Sequence, residues 1–382
     1  MEPHVVELLG KIATSEGFQD SFRTTFTGDA DGNNFHGIVK TAVIEDDNTT
    51  IHVVVKLCQT NALVREAQRT HDKFVNEVIF YRDIAPRLET HGRMPRVAKY
   101  YGSSIESGFE IIVLENLKPS GYILKPVNEG LDEEHIVLVA EYLARLHRIA
   151  LNWKENDPGS FEKITSKLKE TFFVNHENSD CRKLASRIFE QALQSALDCA
   201  AQEDCTGRLV NSIKQYCIDL KNLPSWMNIH DSEYTTLIHG DAYCNNFLFR
   251  YENGSPTDVA FVDWQMVKVG SPAFDLVECF LSSAHVDILD SPERFLSMYS
   301  STSHFHLEKL RSDIHRYGKP GLLVALCVLV NVATEERTDV GGKLEKILIE
   351  ERDTCLSENV RARVKRLVSA ARLLGVFEPV SR

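Results

Sequence analysis

The sequence is short of positive charge. Its 43 Lys and Arg residues are outnumbered by 55 Asp and Glu, which leaves a net charge of -12. A nonspecific nucleic-acid binder needs basic surface to displace counterions, so a nucleic-acid partner is not expected. An acidic, hydrated surface keeps a protein soluble and says little about small ligands. Long apolar runs are also missing. The longest, Gly321 to Thr334, is too short for a span and is interrupted by Asn331, so it reads as a buried helix and no membrane partner is expected. The opening stretch MEPHVVELLGKIATSEGF lacks the basic and apolar regions of a signal peptide. The nine cysteines contain no C-x-x-C pair, which disfavours a metal knuckle and points to reduced thiols in a cytoplasmic protein. Repeats and low-complexity tracts are lacking too. What is there, with 43% hydrophobic residues over 382 positions, suits a globular enzyme of two or three lobes.

The first third reads as strands. SFRTTFT (Ser21–Thr27) alternates and should end at Gly28. GIVKTAVI and IHVVVKL are rich in β-branched residues and are joined by the turn-like EDDNTT, which predicts a hairpin. A helical pattern, HDKFVNEVIFYRDIAPRL, is expected to break at Pro86. Strand-like VAKYYGSS and FEIIVLEN follow, and Lys118-Pro119-Ser120-Gly121 marks the best boundary between lobes. Beyond it the chain is mainly helical. DEEHIVLVAEYLARLHRIA sets Ile136, Val139, Ala140, Leu143 and Leu146 on one face, with Asp132 as N-cap, and residues 160–235 also read as helix. A strand-rich lobe against a larger helical one makes a cleft, a common place for a ligand site.

Strands return only around LIHGDAYCNNFLF, Leu237 to Phe249, where His239, Asp241, Asn245 and Asn246 interrupt an apolar pattern. Asn253-Gly254 then separates FLFRY from DVAFVDW, which predicts a β-hairpin with a loop of about six residues. If Tyr251 faces Asp258, Asn246 faces Asp263 at a Cα separation of roughly 4.5–5.5 Å. Asp241 reaches the same end by the adjoining loop. Converging oxygen side chains suit Mg2+, which takes one or two carboxylates plus phosphates and waters. A lone Asp here would as readily build a turn; the ordered set His-x-Asp-x-x-x-x-Asn, hairpin, Val-Asp-Trp is much more specific.

HGDAYCNNFLF followed by FVDWQ resembles the catalytic segment of the protein-kinase-like phosphotransferases, which include aminoglycoside phosphotransferases and choline kinases. FVNEVIFYRDI and IIVLENLKPSGY are most similar to the ecdysteroid kinase-like family, and the likeness spans most of residues 20–300. The resemblance implies an α+β, bilobal protein-kinase-like fold: a small N-terminal lobe (residues 1–117) with an antiparallel sheet and one long helix, and a larger, mainly helical C-terminal lobe (residues 118–382). It implies Asp241 as catalytic base and Asn246 and Asp263 as metal ligands, with ATP and Mg2+ as cofactors. His239 would be structural within the loop, as would Asp275 of GSPAFDL.

A cation for the phosphates is available in Lys56, at the end of HVVVKL. On the helix that follows, Phe74, Val78, Phe80, Tyr81, Ile84 and Ala85 form an apolar stripe, and Glu77 falls inside it. A carboxylate there wants an internal partner, and Lys56 is the candidate. GDADGNNFHG, with Gly28 and Gly32, joins two strands where such a lobe folds amides over phosphates; ordinary hairpin loops use the same residues. By resemblance, Glu115 and Leu117 would offer backbone groups to adenine.

Tyr243 stands where Ser/Thr protein kinases carry Lys, Trp264-Gln265 replaces Phe-Gly after Asp263, and no A-P-E follows. These departures point to a small-molecule acceptor. The expectation is a phosphotransferase acting on a hydroxyl of a largely apolar alcohol, with an ecdysteroid favoured by family. That preference leans on Phe274, Leu276, Val277, Phe280 and Leu281 near the acceptor side, some of which must be core. A choline/ethanolamine-type kinase and a nucleotide-binding pseudokinase are the alternatives. The acceptor's identity and the oligomeric state are not legible.

Overall fold

The structure, a computed structural model, describes residues 3–29, 37–125, 129–174, 177–201, 210–211, 213–215, 232–332 and 358–376. Five N-terminal strands form one antiparallel sheet in the order β1-β2-β3-β5-β4. They are β1 (Arg23–Asp29), β2 (Gly37–Glu45), β3 (Thr50–Cys58), β4 (Tyr100–Ser104) and β5 (Ile111–Glu115). β2 and β3 pair from Gly37↔Cys58 to Glu45↔Thr50, the hairpin expected from their β-branched alternation. Strand β5 is buried on both faces. Ile111 and Val113 join the cluster under helix α1 (Pro3–Ser15), whereas Ile112 and Leu114 join the larger core with Phe74 and Val78. Period-two alternation thus lets one strand anchor two layers.

β1 does not stop at Gly28. It runs on to Asp29 across a bulge between Phe26 and Gly28, where glycine takes φ +146°. A bulge admits an extra residue and bends the strand without ending its pairing.

The helix expected to break at Pro86 also continues. Helices α2 (Ala62–Ala67) and α3 (Thr70–Ile79) lead into a wider π-turn over Phe80–Ile84 and then α4 (Ala85–His91). Proline has no N–H and its ring crowds the carbonyl four residues back. The π-turn, in which Ala85 N–H donates to Phe80 O, accommodates it by widening the helix just ahead of Pro86. The apolar stripe points inward, and Glu77 is buried with it.

Strand β6 (Tyr122–Leu124) lies past a short turn at Lys118–Ser120. Helix α5 (Glu133–Asn156) starts at Asp132, whose carboxylate accepts His135 N–H, and buries the five residues named for its face. Helices α6 (Pro158–Thr165) and α7 (Ser179–Ala201) follow. Part of the helical stretch expected over 160–235, including residues 216–231, lies outside the described residues. Strands β7 (Thr236–Ile238), β8 (Phe247–Glu252), β9 (Ser255–Phe261) and β10 (Lys268–Gly270) make two small sheets, β6-β8-β9 and β10-β7. Helix α8 (Pro272–Ser283) is buried along its whole length, and the run at Lys319–Val332 is a helix too, with Leu322 to Val330 buried. The result is the α+β, bilobal architecture expected, with sheet and α3 in the smaller lobe. Among the described residues no helix is long and apolar enough to cross a membrane.

The β8–β9 hairpin is tighter than expected. Glu252 pairs with Ser255, so the connection is Asn253-Gly254 alone, with φ of 52° and 87°. Two consecutive left-handed residues match the right-handed twist of the strands. An irregularity between Arg250 and Tyr251 then sets Phe247 opposite Phe261. Asn246 therefore faces Val262, whose N–H donates to Asn246 O at 3.0 Å, and does not face Asp263.

Candidate active site

The loop that carries Asp241 hangs between β7 and β8 and is gripped from behind by α8. Asp275 accepts the His239 amide at 2.7 Å and the Gly240 amide at 2.9 Å. One turn later on the same helix, Glu278 accepts the Ala242 amide at 3.1 Å. Two carboxylates spaced by one turn share a helix face, so α8 holds the amides on either side of Asp241. Burial works against a charge on Asp275, but His147, 3.2 Å away, and the loop amides hold its pKa below the usual carboxylate value. Burial pushes Glu278 well above that value, and its Oε1 has no hydrogen-bond partner.

Gly240 is demanded by the geometry. Its φ is +79°, and a Cβ there would meet Met266 O at 2.3 Å. His239 is structural, as expected. Burial keeps its pKa below the ordinary value, which suits a neutral ring. Nε2–H then donates to Val262 O at 3.2 Å while Nδ1 accepts the Asp241 amide at 3.3 Å.

Asn246 donates to Asp241 twice, to its main-chain oxygen at 2.8 Å and to carboxylate Oδ2 at 3.0 Å. That fixes the carboxylate and leaves the amide oxygen of Asn246 for a cation. Burial, followed by the charge of Asp263, pushes Asp241 up to about 7. Asp263 leaves the strand in a left-handed conformation, φ 66° and ψ 62°, which a side chain adopts only when its surroundings over-determine it.

Lys56 reaches both sides. Its Nζ lies 2.6 Å from Glu77 Oε2 and 2.8 Å from Asp263 Oδ1. Burial alone would lower its pKa, but the two carboxylates outweigh burial and raise it, so the ammonium is charged. The ion pair with Glu77 read from the apolar stripe is present, and Asp263 is a further partner.

Lys56, Glu77, Asn246 and Asp263 line one cavity of about 390 Å3, together with Glu115 and Leu117. Its lining also includes the apolar side chains of Val54, Ala98, Leu114, Leu248 and Val262. The Glu115 amide is taken by Lys99 O at 2.8 Å, and its carboxylate pairs with Arg96 at 2.5 Å. Its carbonyl and the Leu117 N–H are left for a ligand, whereas the Leu117 carbonyl accepts the Ser120 and Tyr122 amides at 3.1 and 3.3 Å. Gly28 does not line the cavity, although its neighbour Thr27 does, and Gly32 lies outside the described residues.

Phe274, Leu276, Val277, Phe280 and Leu281 are all core, each at most 1% exposed. They cannot form the wall of an acceptor pocket, because α8 is packed on every side. Glu278, which by sequence could serve a cation from within that apolar run, instead accepts the Ala242 amide. Two further polar residues near the site escaped the sequence reading. Asn76 donates to Lys169 O at 2.8 Å and Gln265 O at 3.2 Å, tying α3 to the turn after Asp263. Lys73 is 2% exposed and lies one turn before Glu77. The signal was there for both, since Lys73, Asn76 and Glu77 share the stripe at helical spacing.

Among solved structures the chain is similar to an ethanolamine kinase from Plasmodium vivax, at 13% identity over 96% of this chain and 87% of that one, with a TM-score of 0.46. It is similar to a spectinomycin phosphotransferase in complex with ADP and spectinomycin, at 12% identity over 96% and 98% of the two chains, TM-score 0.47. It is also similar to a microcompartment-associated aminopropanol kinase, at 13% identity over 97% and 99%, TM-score 0.47. Comparison with curated proteins gave no significant match. The ecdysteroid kinase-like family matches residues 31–312. With most of its length matched, the chain belongs to the ecdysteroid kinase-like family and is a small-molecule kinase.

Proposed function

We propose that the chain transfers the γ-phosphoryl group of ATP to a hydroxyl of a small, largely apolar alcohol, with Mg2+ as cofactor. The observation that carries this reading is the bridge from Glu77 through Lys56 to Asp263, in a cavity that is also lined by apolar Val54, Ala98, Leu114, Leu248 and Val262. Phosphoryl transfer asks a protein mainly for positioning and charge. The apolar lining suits a planar base, with the Glu115 carbonyl and the Leu117 N–H offered to its edge. Lys56 suits the phosphates, and amides of the segment with Gly28 and Gly32 would cover them. The lobes would divide after Leu117, as 1–117 and 118–382.

In the step itself, the acceptor oxygen bonds to the γ-phosphorus as the bond from that phosphorus to the bridging oxygen breaks. The hydroxyl proton passes to the Asp241 carboxylate, and ADP leaves. A carboxylate raised toward neutrality is suited to that role, and its hydrogen bond from Asn246 keeps it oriented. Asp263 and the Asn246 amide oxygen are hard donors of the kind Mg2+ prefers, and we assign the ion to them; it supplies charge neutralisation to the phosphates.

For the acceptor, the family's name supports an ecdysteroid or related bulky alcohol. Half-buried Phe172, Phe173 and Phe189 in mutual ring contact offer apolar surface beside Lys268. The described cysteines are buried free thiols, which supports a reducing, cytoplasmic setting. The test is ATP consumption with ecdysone-like steroids, other bulky alcohols, choline and ethanolamine side by side, with each product identified by mass. Transfer to a steroid or bulky alcohol is expected. Efficient turnover of choline alone would make this a choline-type kinase, and ATP binding without any transfer would make it a pseudokinase.

A further inference from the structure

The turn that follows Asp263 carries a buried amide. Gln265 is 3% exposed, and its side chain folds back so that Nε2 donates to Asp263 Oδ2 at 3.3 Å. The other oxygen of that carboxylate, Oδ1, takes the Lys56 ammonium at 2.8 Å. Asp263 is thus held at both oxygens. An ionised carboxylate has about four lone-pair sites, so one bond to each oxygen still leaves each a lone pair for a cation.

The two holds have a common root. Glu77 of α3 holds Lys56 at 2.6 Å. Its neighbour in the chain, Asn76, is fully buried and donates to Gln265 O at 3.2 Å. Asn76 is itself clasped by Lys169, donating to its carbonyl at 2.8 Å and accepting its amide at 2.9 Å. One residue before Gln265, Trp264 stacks on Phe80 with centroids 3.6 Å apart. The backbone from which Gln265 projects is therefore fixed by Asn76 and by Phe80. Two consecutive residues of one helix reach the same carboxylate, Glu77 through Lys56 to Oδ1 and Asn76 through Gln265 to Oδ2.

The second hold has a use. The Asp263 side chain is 28% exposed, so packing alone leaves it room to turn. Lys56 is a point charge on a flexible stem and fixes one oxygen only. A bond at the other oxygen fixes the plane of the carboxylate. The Phe-Gly that Trp264-Gln265 replaces has no side chain at that position to supply it.

Resting on the phosphotransfer reading above, we propose that Gln265 is a positioning residue: its side-chain amide fixes the plane of the Asp263 carboxylate and so presets it to take Mg2+ with the nucleotide. Lys56 does this from Oδ1, within the nucleotide cavity. Gln265 does it from Oδ2, out of the turn.

The experiment follows ATP binding by calorimetry as Mg2+ is raised, for full-length wild type, Q265M and Q265L, with a thermal melt of each to establish folding. Both substitutions remove the donor and keep most of the volume. Loss of a group that orients a metal ligand typically weakens the metal by about 10–100-fold, so the half-saturating Mg2+ should rise by that order. ATP affinity without Mg2+ should stay at the wild-type value, and kcat should return toward wild type at saturating Mg2+. In D263A, where no carboxylate is left to orient, Q265M should lower neither ATP affinity nor kcat further. A wild-type Mg2+ titration in Q265M and Q265L overturns the proposal. An equal loss of ATP affinity with and without Mg2+, which a merely structural glutamine would give, overturns it too, as does failure of both variants to fold. Wild-type protein is the reference: if its ATP affinity depends on Mg2+, an unaffected Q265M sinks this inference alone, and if it does not, the metal assignment of the phosphotransfer reading falls and this inference with it.

Discussion

Lys56 Nζ lies 2.8 Å from Asp263 Oδ1, joining a strand of the small lobe to the hairpin exit of the large one across 207 positions of sequence. On the proposed function the contact would sit beside the phosphates, and the exposure of its members sets the order in which losses should appear. Lys56 is 16% exposed, Asp263 28% and Glu77 2%. Glu77 is therefore the partner that can least tolerate losing its cation.

Lys56→Met should leave Glu77 buried beside Asp263 without compensation. Removing one partner of a buried pair typically costs about 3–5 kcal/mol. K56M should be destabilised on that scale and lose transfer, whereas K56M/E77Q should regain stability without regaining activity. Denaturant melts and a transfer assay check both. A K56M as stable as wild type would mean that the pair contributes nothing to the fold.

Asp241→Asn should preserve shape and remove the base. Loss of a general base costs about 10²–10⁴-fold, so kcat should fall by that order while ATP still binds. Steady-state kinetics beside calorimetry separate the two, and near-wild-type turnover would remove Asp241 from the mechanism.

Asp263→Ala should abolish the Mg2+ dependence of nucleotide binding, because the remaining donor assigned to the ion is a neutral amide. Calorimetry with and without Mg2+ is the check. Equal ATP affinity in both conditions for the wild type would make Asp263 a turn residue.

Gly240→Ala should disrupt the base loop. The left-handed conformation alone costs about 1–2 kcal/mol for a side chain, and the approach of Met266 O at 2.3 Å adds to it. A thermal midpoint equal to wild type would contradict this packing.

Acid stability should depend on Glu110, whose side chain is fully buried on the small lobe. Burial would raise its pKa, but hydrogen bonds from Arg65, Cys58 and His71 outweigh that and hold it at about 2, below the ordinary 4.5. A depressed carboxylate stabilises the fold above its unfolded pKa, and that contribution is lost as pH falls through the folded one. Stability should thus decline between pH 4.5 and about 2, by roughly 3 kcal/mol, at about 1.36 kcal/mol per pKa unit. Glu110→Gln should flatten that part of the curve in denaturant melts across pH.

The residues of the site were legible because their types are improbable where they occur. Glu77 in an apolar stripe and Lys56 in a β-branched run each asked for a partner, and they are each other's. Asp241, Asn246 and Asp263 were legible by spacing. Their arrangement was not. The expected pairing of Asn246 with Asp263 failed by one residue, because a two-residue turn and an irregularity at Arg250/Tyr251 set the register. A one-residue slip turns each side chain to the other face, and composition carries no trace of it.

Sequence by itself determined the alternating strands, the face of α5 and its Asp132 cap, and the set of chemical groups in the cleft. Those are short-range facts, written in periods of two and 3.6 residues. Tertiary structure decided the rest. Pro86 was absorbed because the Phe80–Ile84 turn could widen where Phe80 stacks on Trp264. Phe274 and Phe280 became core and not acceptor wall because α8 is covered on all sides. Lys73 was drawn inside because Asn76, on its own face, ties α3 to Gln265 in the turn after Asp263. Burial of a charge is settled by what the opposing lobe presents, and a single chain's local pattern does not contain that information.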